Sequence, residues 1–232
     1  MENQDIQKIS MRREWLFGII LLLPFLYIPF IWNQLPDSIP THWNAHGEVN
    51  DYSSKTFGTL FLPLLNVGMY LLFLILPKID PRKKNYNYFG NTYRNIRLLL
   101  AIFMTIMFFI TMQMALGNMS MNSKIVLFLV FGLIAILGNF MRTIRSNFFV
   151  GIRTPWTLDN PEVWRRTHEA AGKLWFYSSI IAIICHCLLI KSIYHGLCCH
   201  IWQSLSFTRY FILICYSEKS ATQKHKNKMS PP

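Results

Sequence analysis

GNFMRTIRSNFFVGIRTPWTLDNPEVWRRTHEAAGKL, residues 138–174, separates two apolar runs of membrane-spanning grade with a basic and aromatic stretch. That pattern marks where the bilayer surface lies. The aromatic pair Phe148-Phe149 leaves the apolar run and is closed by Gly151. Pro155 restricts Thr154 to extended backbone, and Trp156 falls at headgroup level. The chain is laid along the membrane surface here. Asn160 followed by Pro161 is a helix start, with Asp159 and Glu162 favourably placed for the helix dipole. On the short interfacial helix this predicts, Val163, Thr167, Ala170 and Leu174 share one side. Arg165, Glu169 and Lys173 share another at spacing four, giving pairs of roughly 0.2–0.5 kcal/mol each. Trp164, Arg166 and His168 fall between those faces and are expected to be the most exposed to a cytoplasmic partner. Anchoring of Trp and Arg among lipid headgroups explains them equally well.

Working outward, apolar segments close to the roughly 20 residues a helix needs to cross a bilayer recur along the chain. They run from Trp15 to Trp32, Phe57 to Leu76, Leu98 to Leu116, Ile125 to Met141, Leu174 to Ile190, and less cleanly Leu197 to Tyr216. The sixth carries Arg209 among several polar residues. The expected fold is an all-α polytopic membrane protein of about six crossings, with the interfacial helix ahead of the fifth. With 52% hydrophobic and 15% charged residues in a chain of 232, little is left for an aqueous core. Lys8, Arg12 and Arg13 before the first run suggest a signal peptide, but Pro24, Tyr27, Pro29, Phe30 and Trp32 offer no small-residue cleavage site. A retained first helix is expected.

The net charge of +12 matters through its placement. Of 23 Lys and Arg residues, three precede the first run, six lie from Lys78 to Arg97, six from Arg142 to Lys173, and four follow Tyr216. Lys55, Lys124 and Lys191 are single charges on the other connections. The positive-inside rule then places both termini and both basic loops in the cytoplasm and residues 33–56 outside. Attraction to anionic headgroups accounts for the charge, so direct nucleic-acid binding is not expected.

The outer loop, LPDSIPTHWNAHGEVNDYSSK (residues 35–55), is patterned: Pro36 and Pro40 hold extended backbone, and Gly47 with Val49-Asn50-Asp51 suggests a second turn. His42, His46 and Glu48 invite a metal reading. A site needs three or four converging ligands with an oriented second shell, and nothing here supplies them. The favoured reading is His42 and Trp43 at the lipid interface.

Leu35-Pro36, Ile39-Pro40, His42-Trp43-Asn44, Gly47, Asp51, Tyr52 and Lys55 resemble the short amino-terminal membrane domain found ahead of SdpI-type proteins. Gly138-Asn139, Asn147-Phe148, Gly151-Ile152-Arg153-Thr154-Pro155-Trp156-Thr157-Leu158, Val163-Trp164, Thr167-His168 and Gly172-Lys173-Leu174 resemble the SdpI family's signature, in order. The resemblance spans Trp15 to Ile190. It implies a bacterial inner-membrane protein related to the immunity factor against the sporulation-delaying toxin, a secreted killing peptide. In that family's best-understood member the membrane protein also holds a small winged-helix repressor at the membrane. Toxin or partner response is accordingly assigned to His42, Trp43 and Asn44 outside, and to Arg153, Thr154, Pro155, Trp156, Trp164 and His168 inside.

An enzyme would need a nucleophile with its base, paired carboxylates or a metal cluster. The sequence has no phosphate loop, CxxC or HExxH, and no cofactor is expected. No carboxylate falls within the apolar core of a crossing, where a proton relay would show itself. The Asn66 and Gln113 amides are expected to bond between helices. All five cysteines, Cys185, Cys187, Cys198, Cys199 and Cys215, and four of seven histidines follow residue 184. Neither a zinc site nor a disulfide suits ligands side by side on lipid-facing helix. A shifted reading frame near Cys185 to Lys191 is the sharper explanation of this change in composition. Three regions follow: 1–80 as the amino-terminal membrane domain, 81–190 as the SdpI-like domain, and 191–232 as an atypical segment and basic tail. The function expected is non-enzymatic immunity and signalling; a small transporter or channel-like protein is the alternative.

Overall fold

The structure, a computed structural model, describes residues 11–43, 49–119 and 124–188. Its helices are α1 (Met11–Ile31), α2 (Lys55–Ile79), α3 (Tyr86–Ala115), α4 (Lys124–Met141), α5 (Pro155–Asp159) and α6 (Pro161–Leu188). Between α1 and α2 two strands, β1 (Ser38–Trp43) and β2 (Val49–Ser54), pair antiparallel. The chain divides into two compact units, Met1–Leu133 and Ile134–Pro232.

Three helices are long and apolar enough to cross a membrane, Glu14–Gln34, Lys55–Ile79 and Lys83–Ala115, among the described residues. The expected six crossings are therefore corrected to three. The fourth run, Ile125–Met141, forms only a shorter apolar helix. The fifth is not separate: α6 runs unbroken from Pro161, so the apolar half beginning near Leu174 continues the charged half that carries Glu162 to Lys173. No proline or left-handed residue separates the halves, and the expected turn from an interfacial helix into a crossing does not occur. The sixth run, Cys198, Cys199, Cys215 and the tail lie outside the described residues, and Cys185 is a free thiol.

In the first unit, α1, α2 and α3 pack together. α3 presents Tyr86, Tyr93, Arg97, Ala101, Thr105, Phe108 and Met112, mostly three or four positions apart, as its buried stripe. The expected inter-helix amides are present. Asn66 Nδ2 donates to the Ala101 carbonyl at 3.0 Å and Gln113 Nε2 to the Tyr27 hydroxyl at 2.9 Å. The turn between α2 and α3 is closed by buried Asp80, whose carboxylate accepts from the Arg82 N–H at 2.7 Å and the Tyr86 hydroxyl at 3.0 Å.

The patterned outer loop is a β-hairpin seated on the helix ends. Ile39 is fully buried with Ile28, Ile31, Leu35, Phe108 and Met112. Gly58 makes room for it, because a Cβ there would lie 2.5 Å from Ile39 Cβ. The Lys55 N–H donates to the Asp37 carbonyl at 2.9 Å, so alternation along the ladder makes Pro40 and Tyr52 a non-hydrogen-bonded pair. Pro40 therefore costs no ladder bond and removes the donor at its own position on the outward edge of β1. On the other edge, the Tyr52 N–H is taken by Asp51 Oδ1 at 2.9 Å. These are the devices that keep an exposed strand from pairing with another chain.

Candidate functional site

The second unit holds the signature stretch, and its geometry begins with two glycines. A Cβ on Gly138 of α4 would lie 2.9 Å from the Gly172 carbonyl, and one on Gly172 of α6 would lie 2.5 Å from the Gly138 carbonyl. The two backbones touch, as small residues allow in helix pairs within lipid.

From α4 the chain enters a loop organised by Asn147, which is fully buried. Its Oδ1 accepts from the N–H groups of Phe149 (2.9 Å) and Val150 (2.6 Å), and its Nδ2 donates to the carbonyls of Arg145 and Val150, both at 2.9 Å. That uses every hydrogen-bonding site of the amide. The loop then passes over His168. Gly151 has φ +116, where an L side chain is strained, and any Cβ there would overlap His168 Nε2.

His168 is 1% exposed and fixes the loop to α6. Its Nε2 lies 3.0 Å from the Ile152 nitrogen, and its Nδ1 lies 2.8 Å from the Trp164 carbonyl one turn earlier. Since the Ile152 N–H must donate, Nε2 accepts and Nδ1 carries the proton, which defines a neutral tautomer. Burial pushes the imidazole down to about 4, against a smaller opposite effect of the bond to the Trp164 carbonyl. Trp164 stacks on the imidazole with centroids 4.0 Å apart and donates from Nε1 to the Ile144 carbonyl at 2.8 Å.

Beyond Ile152 the chain starts α5 at a reciprocal cap. The Thr157 N–H donates to Thr154 Oγ1 at 3.2 Å while the Thr154 N–H donates to Thr157 Oγ1 at 2.8 Å. The Thr157 hydroxyl donates in turn to the Ile152 carbonyl at 2.9 Å. Pro155 occupies the first turn, where no N–H is needed. Asn160 then caps α6, its Oδ1 accepting from the Glu162 N–H at 2.8 Å.

The predicted site residues are sorted by this arrangement. Arg153 is exposed, its Nη1 donating to the Phe148 carbonyl at 2.7 Å, and Trp156 and Thr154 are half-buried beside exposed Pro155. Trp164 and His168, expected to be among the residues most exposed to a partner, are instead buried scaffold. The reason is the loop from Ile144 to Ile152, which covers that face of α6. Its buried stripe is Trp164, Thr167, His168 and Ala171, while Ala170 and Leu174 are exposed. The exposed ladder matches the expected spacing. Glu162 accepts from Arg165 at 2.9 Å and Arg166 at 2.6 Å, and Glu169 from Arg165 at 3.3 Å and Lys173 at 3.0 Å. Hydrogen bonds from Arg165 and Arg166 hold Glu162 down at about 2. His42 lies in the other unit, on the exposed side of β1, with Nδ1 2.6 Å from Asn50 Oδ1. The Trp43 side chain, Asn44, His46 and Glu48 fall outside the described residues. Sequence reasoning missed the carbonyl of Ile144 as the Trp164 acceptor and the organising role of Asn147, although Asn147 ahead of an aromatic pair and a glycine was a usable turn signal.

Three spanning helices and a hydrogen-bonded loop module define a multi-pass integral membrane protein. Residues 143–216 match the model of the SdpI/YfhL protein family, and residues 19–67 match that of a domain of unknown function, DUF1648. The family match continues past Cys185 to Lys191, where the sequence reading had the resemblance fading. The chain is similar to Immunity protein SdpI of Bacillus subtilis (strain 168), 28% identical over 165 residues, which cover 71% of this chain and 76% of that protein. No solved structure matches this chain.

Proposed function

We propose that this chain is an immunity protein of SdpI type in a bacterial cell membrane, protecting the cell from a secreted toxic peptide. We further assign it a signalling role through a cytoplasmic repressor of the winged-helix class. The observation that carries the reading is similarity to an immunity protein over most of both chains, joined to a signature loop whose polar groups serve its own architecture. Asn147, Thr157, Trp164 and His168 spend their hydrogen bonds on fixing the loop. What remains for a partner is the rim they hold in place: Arg153, Pro155 and Trp156, beside the charge ladder of α6.

Sidedness follows from charge. The basic stretch from Lys78 to Arg97, at the connection between α2 and α3, faces the cytoplasm, and the hairpin with His42 faces outward. With both of its edges blunted, the hairpin meets a toxic peptide through side chains such as His42, Asn50 and Tyr52 rather than by adding a strand.

The test is expression in a sensitive cell, membrane insertion checked, followed by challenge with the toxic peptide. Protection that falls in an Arg153→Ala, Trp156→Ala double variant still inserted at wild-type level is the expected result. Killing unchanged by the wild-type chain refutes the immunity reading, and full activity of the double variant removes the rim from it.

A further inference from the structure

The three-helix unit holds a charge pair that the immunity reading does not use. Arg97 lies within the apolar span of α3 and is 5% exposed. Its counter-ion is Glu14, 83 positions away in sequence at the start of the α1 span, with Nη2 2.7 Å from Oε2. The Tyr70 hydroxyl of α2 donates to the same oxygen at 2.7 Å. The guanidinium lies over the rings of Phe17 and Tyr70, 4.8 and 5.1 Å from their centroids. Ionisable residues inside a span are costly and are ordinarily placed there for a task.

The pairing is incomplete in a specific way. Arginine and carboxylate prefer two parallel hydrogen bonds, which use the guanidinium's rigid fork. Here Glu14 engages through one oxygen, shared with Tyr70, and Arg97 Nε is buried without a hydrogen-bond partner among the described residues. An unspent donor on a buried cation, with two aromatic rings against it, is a prepared half of a bidentate anion site. Half-buried Arg94 lies one turn away on α3 and adds to the positive field that draws anions in. A phosphate group presents two oxygens at the spacing that Nε and Nη2 require.

We propose that Arg97 is a receptor for a phosphate group, and that the Glu14 carboxylate is the resident competitor that occupies it when no ligand is bound. The chemistry is shared by a phospholipid headgroup and by inorganic phosphate.

The test uses the full chain in dodecyl maltoside micelles, which carry no phosphate, alone, with phosphatidylglycerol added, and with inorganic phosphate added. Thermal unfolding is followed for wild type, Glu14→Gln, and Glu14→Gln with Arg97→Gln. Removing the competitor should make Glu14→Gln anion-dependent, with Tm raised by about 4 °C or more by the true ligand, against a smaller rise in wild type. A rise with phosphatidylglycerol alone identifies a lipid headgroup, and a rise with inorganic phosphate identifies the soluble anion. The double variant should show neither. If Glu14→Gln does not fold, Tyr70→Phe, which keeps the ring and loosens Glu14, should respond in the same direction. No anion response in the single variants, or an equal response in the double variant, overturns the proposal.

Discussion

Lowering the pH from 7 to 5 should loosen the signature loop through His168 alone. In the folded chain the imidazole is held neutral, pushed by burial from 6.5 down to about 4. Its neutral form accepts from the Ile152 N–H. Protonation would set two donors against each other and leave a charge buried beneath Gly151. An unfolded loop frees the same imidazole to bind a proton near its ordinary value. The stability it contributes is therefore fully present above about pH 6.5 and is lost as the pH falls toward 4. The loss is about 2 kcal/mol at pH 5 and about 3 kcal/mol near pH 4. Hydrogen exchange of peptides covering residues 147–157, corrected for the intrinsic pH dependence of exchange, should show protection falling about 20-fold between pH 7 and pH 5. Glu162 does not interfere. Its carboxylate, held at about 2, contributes stability that is lost only as the pH falls from the ordinary carboxylate range toward 2. His168→Gln supplies the control, since an amide can still accept from Ile152 and does not titrate. It should exchange faster at pH 7, with no further change at pH 5. An equal pH response in wild type and His168→Gln would refute the reasoning.

Gly151→Ala combines a left-handed backbone with a methyl pressed onto His168 Nε2. It should lower the stability of the loop by about 1–3 kcal/mol, read as lost protection over the same peptides. Gly138→Val should separate α4 from α6, because its Cβ would meet the Phe176 nitrogen at 2.8 Å. A cysteine pair placed across the two helices should then cross-link less readily, whereas Gly132→Val, in open space on the same helix, should leave cross-linking unchanged.

Much of this protein is written locally. Asn160-Pro161 announces the start of α6, the Arg165, Glu169 and Lys173 spacing announces its exposed ladder, and Pro36, Pro40 and the Val49-Asn50-Asp51 turn announce an ordered outer loop. Each depends on neighbours within one helical turn or one tight turn, and such periodicities survive in sequence whatever the rest of the chain does. The membrane class was legible for the same reason, because a span is a property of one continuous apolar run. The number of spans was not. Whether an apolar run stands alone depends on where its helix begins, and α6 begins at Pro161, inside the charged stretch.

The sequence by itself determined the membrane class, the resemblance to the SdpI family and the residues of the signature. Tertiary structure decided which of them are scaffold and which are surface. Trp164 and His168 are buried because a loop about 16 to 20 positions earlier in sequence folds over them and places one carbonyl and one N–H within hydrogen-bond reach. Arg97 reads as one more basic residue after α2 until packing sets it against Glu14. In both cases the deciding partner lies far along the chain, and hydrogen bonds and ion pairs are set by distance and direction in space, which no local pattern encodes.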